Sequence, residues 1–148
     1  MRIALGADHA GVELKAHLKT RLDERGIAYE DFGTNTTDSV DYPDVAQEVA
    51  KAVAAGTFDR GVLVCGSGVG MAIAANKVAG IRAAPIVDER TAQLSREHNN
   101  INVLGLGARL TPSDVATRIL DLFLDTPFAG GRHQRRIDKI AALDQAHQ

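Results

Sequence analysis

The residues best suited to chemistry are Cys65 and the glycine-rich segment that follows it, Gly66-Ser67-Gly68-Val69-Gly70. Glycines at every second position let backbone N–H groups approach a ligand closely, and a helix N-terminus adds further free N–H groups, so this segment can hold an anion. Thiolates are stabilised at helix N-termini. A thiolate facing such an anion hole could remove a proton from a carbon next to a carbonyl, and the hole would hold the enediolate oxygen.

Each of these features also has a purely structural interpretation. The glycine segment could be a tight strand–helix turn, and a free cysteine is often only a small buried side chain. Ser67 could relay protons between two substrate oxygens or simply cap the following helix. The residue types therefore indicate proton transfer at Cys65 without proving it.

Two nucleotide-binding motifs are incomplete in this sequence. The dinucleotide motif G-x-G-x-x-G would need glycine at Met71, and the P-loop spacing of Gly6 and Gly11 is followed by Val12-Glu13 instead of Lys-Ser/Thr. A nucleotide-binding or regulatory module without catalysis is thus the disfavoured alternative.

Other candidate side chains stand beside predicted strands or open a predicted helix. His98 could open a cyclic sugar as a neutral imidazole acting in general acid–base catalysis. Arg132 and Arg136 lie one helical turn apart, and the arginine fork suits bidentate phosphate binding. A structural histidine and a solvated basic face are the competing interpretations. The remaining polar candidates beside the predicted strands are Asp8, His9, Tyr42, Asn99 and Arg109.

Short apolar runs alternate with helical patterns along the whole chain. Strands are predicted at 3–5, 27–32, 61–65, 81–87 and 102–105, and helices at 11–25, 43–55, 71–78, 91–97, 113–124 and from 132 onward. This alternation predicts a parallel sheet with helices on both faces and a surplus last helix that could pack on a partner chain. In such sheets ligands bind at the carboxyl ends of the strands, where we expect the polar residues to cluster.

Composition narrows the class of protein further. The 148 residues suit one domain spanning 1–148, and a net charge of −2 argues against nucleic-acid binding. No apolar run is long enough for a signal peptide or a membrane span. The single cysteine excludes an internal disulfide, and no Cys/His cluster has zinc-like spacing, so we expect a cytoplasmic protein without a metal.

From Arg2 to about Leu143 the sequence resembles the type B ribose-5-phosphate isomerases, relatives of the galactose-6-phosphate and allose-6-phosphate isomerases. The blocks that carry the resemblance are Gly6-Ala7-Asp8-His9-Ala10-Gly11, Asp41-Tyr42-Pro43, Cys65-Gly66-Ser67-Gly68-Val69-Gly70, Ala74-Ala75-Asn76-Lys77, Ser95-Arg96-Glu97-His98-Asn99-Asn100, Asn102-Val103-Leu104, Gly107-Ala108-Arg109 and Gly130-Gly131-Arg132-His133.

The resemblance implies a Rossmann-like three-layer α/β/α sandwich with a five-stranded parallel sheet. It also implies a homodimer or tetramer with active sites at the subunit interface, no cofactor, and a place in the pentose phosphate pathway. Cys65 would move the proton between the first two carbons, His98 would open the ring with Asp8, and Ser67 would handle protons on the substrate oxygens. The substrate-binding residues would be His9, Tyr42, Gly66, Gly68, Val69, Gly70, Asn99, Arg109, Arg132 and Arg136.

Substrate identity stays open at this point. Ribose 5-phosphate and ribulose 5-phosphate are the expected pair, but allose 6-phosphate, galactose 6-phosphate, a tetrose phosphate or a free rare sugar would need the same base and anion hole. Fold and site type do not fix the substrate.

Overall fold

The computed structural model describes residues 1–146, so the last two residues of the predicted domain lie outside it. Five parallel strands form one sheet in the order β2-β1-β3-β5-β4. Their bounds are β1 Arg2–Ala7, β2 Ala28–Asp31, β3 Arg60–Cys65, β4 Ala83–Pro85 and β5 Val103–Gly107. The predicted five-stranded parallel sheet is confirmed.

Residues 1–146 form six helices. They are α1 Val12–Glu24, α2 Tyr42–Ala54, α3 Val69–Ala75, α4 Glu89–Glu97, α5 Ser113–Asp125 and α6 Arg132–Ala146, with one 3₁₀ turn at His9–Gly11. Two apolar clusters separate the three layers. Side chains of α1 and α5 pack on one face of the sheet, and those of α2 and α3 pack on the other. Helices α1 to α5 thus cover the two faces of the sheet, as the alternating pattern predicts, while α6 contributes to neither apolar cluster.

The strand ends show where the predicted boundaries were inexact. β5 continues to Gly107, two residues past its predicted end, because Gly105 and Gly107 leave space for the glycine segment that lies against them. β4 has only three residues and ends at Pro85, which has no N–H to donate to a ladder.

The last helix, α6, lies beside the short edge strand β4. Its Asp144 accepts a hydrogen bond from the N–H of Gly80 at 2.9 Å, and Ile137 is buried. Ile140 and Leu143 remain about half exposed on the same helix. Within residues 1–146, no helix combines the length and the apolar character needed to cross a bilayer.

Candidate active site

Cys65 lies at the carboxyl end of the central strand β3, with only 6% of its surface exposed. Its Sγ accepts a hydrogen bond from the N–H of Gly68 at 3.1 Å. The chain can fold back this tightly because Gly68 has a φ of +80°, a conformation that costs little only for glycine. This hydrogen bond holds the sulfur of Cys65 against the glycine segment.

The glycine segment is pressed against the end of β5. A Cβ on Gly68 would lie 3.0 Å from the carbonyl carbon of Leu106, and a Cβ on Gly107 would lie 2.7 Å from the backbone of Ser67. The first hydrogen bond of α3 runs from the N–H of Ala72 to the oxygen of Gly68, so the N–H groups of the preceding residues are not used within the helix. The N–H of Gly68 donates to Cys65 Sγ, and that of Val69 donates to Oγ of Ser67 at 3.3 Å, so Ser67 also caps the start of α3.

A cleft of about 340 Å³ opens above Cys65. Seven of the predicted site residues line it, together with Leu110, which sequence reasoning missed. Leu110 directly follows Arg109, but only the structure shows it 58% exposed at the rim. The seven predicted lining residues are Asp8, Tyr42, Cys65, Gly66, Ser67, Gly70 and Arg109.

Two side chains of opposite charge, Asp8 and Arg109, line this cleft. Asp8 is 7% exposed, and its Oδ1 accepts a hydrogen bond from the N–H of Ala10 at 2.9 Å, which fixes the carboxylate beside the 3₁₀ turn. Arg109 donates its N–H to the oxygen of Gly66 at 3.0 Å, and its guanidinium lies over Gly66, where a Cβ would be 2.9 Å from Nη1. The cleft therefore offers an acceptor for hydroxyls and a cation for an anion.

Tyr42 and His9 lie at the same end of the sheet as Cys65. The ring of Tyr42 occupies the space beside Gly70, where a Cβ would lie 2.7 Å from ring carbons. His9 follows Asp8, and its Nδ1 accepts a hydrogen bond from the N–H of Val40 at 3.3 Å. An imidazole that accepts at Nδ1 carries its hydrogen on Nε2. The Nε2–H of His9 is therefore the group that can donate a hydrogen bond to a ligand.

His98 and Asn99 do not join this cleft within one chain. They follow α4 and precede β5, so they lie at the amino end of the sheet, about 13 Å of strand away from the end that holds Cys65. The expectation that all the polar candidates cluster at the carboxyl ends is wrong for this group. A strand's amino end is reached from the preceding helix, so the chain direction itself separates them.

His98 belongs to a second, basic cluster at the start of α6. Its ring stacks on that of His133 with 4.3 Å between centroids and 13° between planes. Partial desolvation and the nearby His98, Arg132 and Arg136 lower the pKa of His133. The predicted ring-opening imidazole and the two predicted phosphate ligands thus share one surface.

One buried and one half-buried arginine hold the turn that carries His98. Arg96 donates through Nη1 to the oxygen of Ile101 and to Oδ1 of Asn100, both at 2.7 Å. Arg82 donates through Nε to the oxygen of Asn100 at 2.9 Å, and Asn100 has a φ of +46°. Burial, with repulsion from Arg60 and Arg82, lowers the pKa of Arg96 to about 10. The position of His98 is therefore fixed by its own chain.

Neither the cleft at Cys65 nor the cluster around His98 and His133 forms a set of metal ligands. Across residues 1–146, no three side chains of His, Cys, Asp or Glu come together as a set that could bind a metal ion.

Known proteins that are similar in sequence and structure show the family of this chain. The sequence profile of the family described as "Ribose/Galactose Isomerase" matches residues 3–140. The ribose-5-phosphate isomerase B of Escherichia coli strain K12 is 47% identical over 144 residues, which cover 97% of each chain. The Clostridium thermocellum ribose-5-phosphate isomerase B structure is 46% identical, covers 100% of both chains and superposes with a TM-score of 0.98.

A ligand-bound structure is also similar. The ribose-5-phosphate isomerase B of Mycoplasma genitalium with bound ribulose 5-phosphate is 43% identical and superposes with a TM-score of 0.94, covering 97% of this chain and 96% of that one. The Rossmann-like fold expected from the sequence is confirmed by these likenesses. The family profile covers nearly the whole chain, and the chain therefore belongs to the ribose/galactose isomerase family.

Proposed function

We propose that this protein interconverts ribose 5-phosphate and ribulose 5-phosphate, with Cys65 as the base. The observation that carries the proposal is the near-buried Cys65 Sγ, which accepts an N–H from the glycine segment inside a cleft lined by Asp8 and Ser67. A thiolate so placed can reach a carbon-bound proton, while backbone N–H groups beside it stabilise a developing oxyanion.

The reaction requires two balanced proton movements. Cys65 removes the proton from C2 of the open-chain aldose and returns it to C1, while a hydroxyl proton passes from O2 to O1. Ser67 is exposed in the cleft, and its hydroxyl can exchange that second proton with the substrate oxygens. The enediolate between the two steps carries its charge on oxygen, next to the N–H groups that open α3, of which those of Gly68 and Val69 now donate to Cys65 Sγ and Ser67 Oγ.

The remaining predicted residues serve ring opening and binding. His98 takes the proton of the anomeric hydroxyl, and Asp8, Tyr42 and Asn99 hold sugar hydroxyls. The phosphate meets the Nε2–H of His9 and the guanidinium groups of Arg109, Arg132 and Arg136.

We further propose that a second copy of the chain completes the site. Cys65 and His98 lie at opposite ends of the sheet, so one chain cannot bring both to one sugar phosphate. Arg132 and Arg136 are exposed, and Val69 and Ile73, one turn apart on α3 beside the cleft, are 45% and 58% exposed. In a symmetric dimer, the cleft of each chain would meet the His98 surface of the other chain, and the dimer would have two complete sites.

The test is conversion of ribose 5-phosphate to ribulose 5-phosphate by the purified protein in EDTA. We expect turnover that EDTA leaves unchanged, since no step uses a metal ion. A reducing compartment such as the cytoplasm suits this chemistry, because the thiol of Cys65 must stay free. A folded protein that leaves ribose 5-phosphate unchanged would refute the substrate assignment.

The same chemistry on a six-carbon sugar phosphate is the second candidate. The family name covers galactose as well as ribose isomerases, and the same base and donors would serve both. Comparing kcat/KM for ribose 5-phosphate, galactose 6-phosphate and allose 6-phosphate decides between them. A larger kcat/KM for a hexose phosphate would favour the second candidate.

Replacing Gly70 by alanine should weaken substrate binding. The new Cβ would overlap the ring of Tyr42, which must move out of the cleft. Loss of one hydroxyl contact costs about 0.5–1.5 kcal/mol, so we expect KM to rise up to about tenfold with little change in kcat. Steady-state kinetics measure this, and an unchanged KM would contradict the role of Tyr42.

A double variant controls for damage to the fold. Gly70→Ala with Tyr42→Ala removes the overlap, so its melting temperature should return toward that of wild type. Its KM should stay raised, because the tyrosine hydroxyl is gone.

A further inference from the structure

Lys15 is a buried charge outside the cleft that the proposed chemistry does not use. It lies in α1 with 1% of its surface exposed. Its Nζ donates to Oδ1 of Asp31 at 2.7 Å, to the backbone oxygen of Thr34 at 2.5 Å and to Oδ1 of Asn35 at 3.0 Å. All three hydrogens of the ammonium group therefore have acceptors.

Lys15 and Asp31 form an ion pair that is largely shielded from water. Burial lowers the pKa of Lys15, although Asp31 opposes the shift. Burial opposes ionisation of Asp31 as well, but hydrogen bonds from Lys15, Lys19 and the N–H of Gly33 hold its pKa below the usual value. Well-packed apolar residues often replace a buried ion pair without loss of stability. Stability alone is thus a weak explanation for this lysine.

Two of the three acceptors belong to the loop that runs from Gly33 to Asp41, after β2. This loop is tied to β1 by two backbone bonds of 2.7 Å, from the N–H of Ala7 to the oxygen of Gly33 and from the N–H of Thr34 to the oxygen of Ala7. Lys15 bonds the oxygen of that same Thr34 from the helix side. The loop is consequently fixed beside Ala7, the residue before Asp8.

The far part of the same loop contacts the site. The N–H of Val40 donates to Nδ1 of His9 at 3.3 Å, and the loop ends at Asp41, next to Tyr42. The bond from Val40 selects the form of His9 that carries its hydrogen on Nε2. Whatever holds the loop in place also sets which nitrogen of His9 can donate to a ligand.

We propose that Lys15 is a positioning residue for the isomerase: it anchors the loop Gly33–Asp41 so that His9 presents its Nε2–H, and Tyr42 its ring, to the sugar phosphate. The inference rests on the proposed function, because it assigns His9 and Tyr42 to substrate binding. Lys15 itself touches neither the cleft nor the reacting atoms.

The test compares Lys15→Met with Lys19→Met. Methionine fills much of the same space without a donor, whereas Lys19 contacts Asp31 but none of the loop acceptors that Lys15 bonds. We expect Lys15→Met to raise KM for ribose 5-phosphate about tenfold with kcat within about threefold, and Lys19→Met to change neither by more than about twofold. Equal effects of the two variants, or a wild-type KM in Lys15→Met, would overturn the proposal.

A spectroscopic measurement separates positioning from general loss of stability. The ¹⁵N shifts of the His9 ring should show the single Nε2–H form in wild type and Lys19→Met, and a mixture of both forms in Lys15→Met. A single Nε2–H form in folded Lys15→Met would contradict the anchoring role. This measurement needs no substrate, so it tests Lys15 even if ribose 5-phosphate proves not to be isomerised.

A milder variant covers the case in which Lys15→Met does not fold. Asn35→Ala removes one exposed acceptor of Lys15 and leaves the buried pair with Asp31 intact. It should shift KM and the His9 spectrum in the same direction, by a smaller amount. Wild-type behaviour of this variant, with no folded Lys15→Met to measure, would count against the proposal.

Discussion

Replacing Cys65 by alanine is expected to lower kcat by about 10²–10⁴-fold, the range that a positioned general acid–base group contributes. The substitution removes the only sulfur in the cleft and leaves the glycine segment without the acceptor that now receives the N–H of Gly68. Because the proposed substrate contacts are made by other side chains, KM should change much less than kcat. Ribulose 5-phosphate formation under saturating substrate measures the loss.

Two controls distinguish loss of the base from damage to the core. Val53→Ala also truncates a buried side chain, but it lies near the end of α2 away from the cleft and should keep nearly full activity. Incubation of the sugar phosphate in D₂O tests proton abstraction itself, since only a working base exchanges the carbon-bound proton. Deuterium incorporation at the wild-type rate by Cys65→Ala would show that another group is the base.

The residues around Cys65 could be predicted from the sequence for a simple physical reason. A nearly all-apolar run predicts a buried strand, and glycines directly after it predict a turn at the strand's carboxyl end. Seven of the predicted residues line one cleft because chain direction and strand ends alone bring them together. The order of the strands in the sheet was not predicted, since the place of β5 between β3 and β4 depends on pairing between strands that are distant in the sequence.

Other features depend on contacts that a linear pattern does not contain. Lys15 sits beside the apolar stripe of Leu14, Leu18 and Leu22, and nothing in that spacing indicates that its ammonium group is enclosed. Its burial arises from the loop after β2, which folds over α1. The stacking of His98 on His133 similarly joins the end of α4 to α6, although the two residues are 35 positions apart in the sequence.

The separation of Cys65 from His98 leads to the prediction with the clearest signature. Cys65→Ala and His98→Asn should each be nearly inactive alone, the first for lack of a base and the second for lack of a group that opens the ring. If each active site takes Cys65 from one chain and His98 from another, a mixed dimer has one site with both defects and one with none. Random reassociation makes about half of the dimers mixed, so activity should recover to about a quarter of the wild-type value.

The experiment mixes the two variants under conditions that allow subunit exchange, or coexpresses them with different tags, and then measures ribose 5-phosphate isomerisation. Cys65→Ala mixed with Ser67→Ala is the matched control. Both residues line the same cleft, so every mixed dimer keeps one defect in each site and no recovery is expected. If exchange is verified and the Cys65–His98 mixture stays inactive, the two residues do not act in one shared site. Recovery confined to that mixture would establish that the imidazole at the amino end of one sheet serves the thiol at the carboxyl end of another.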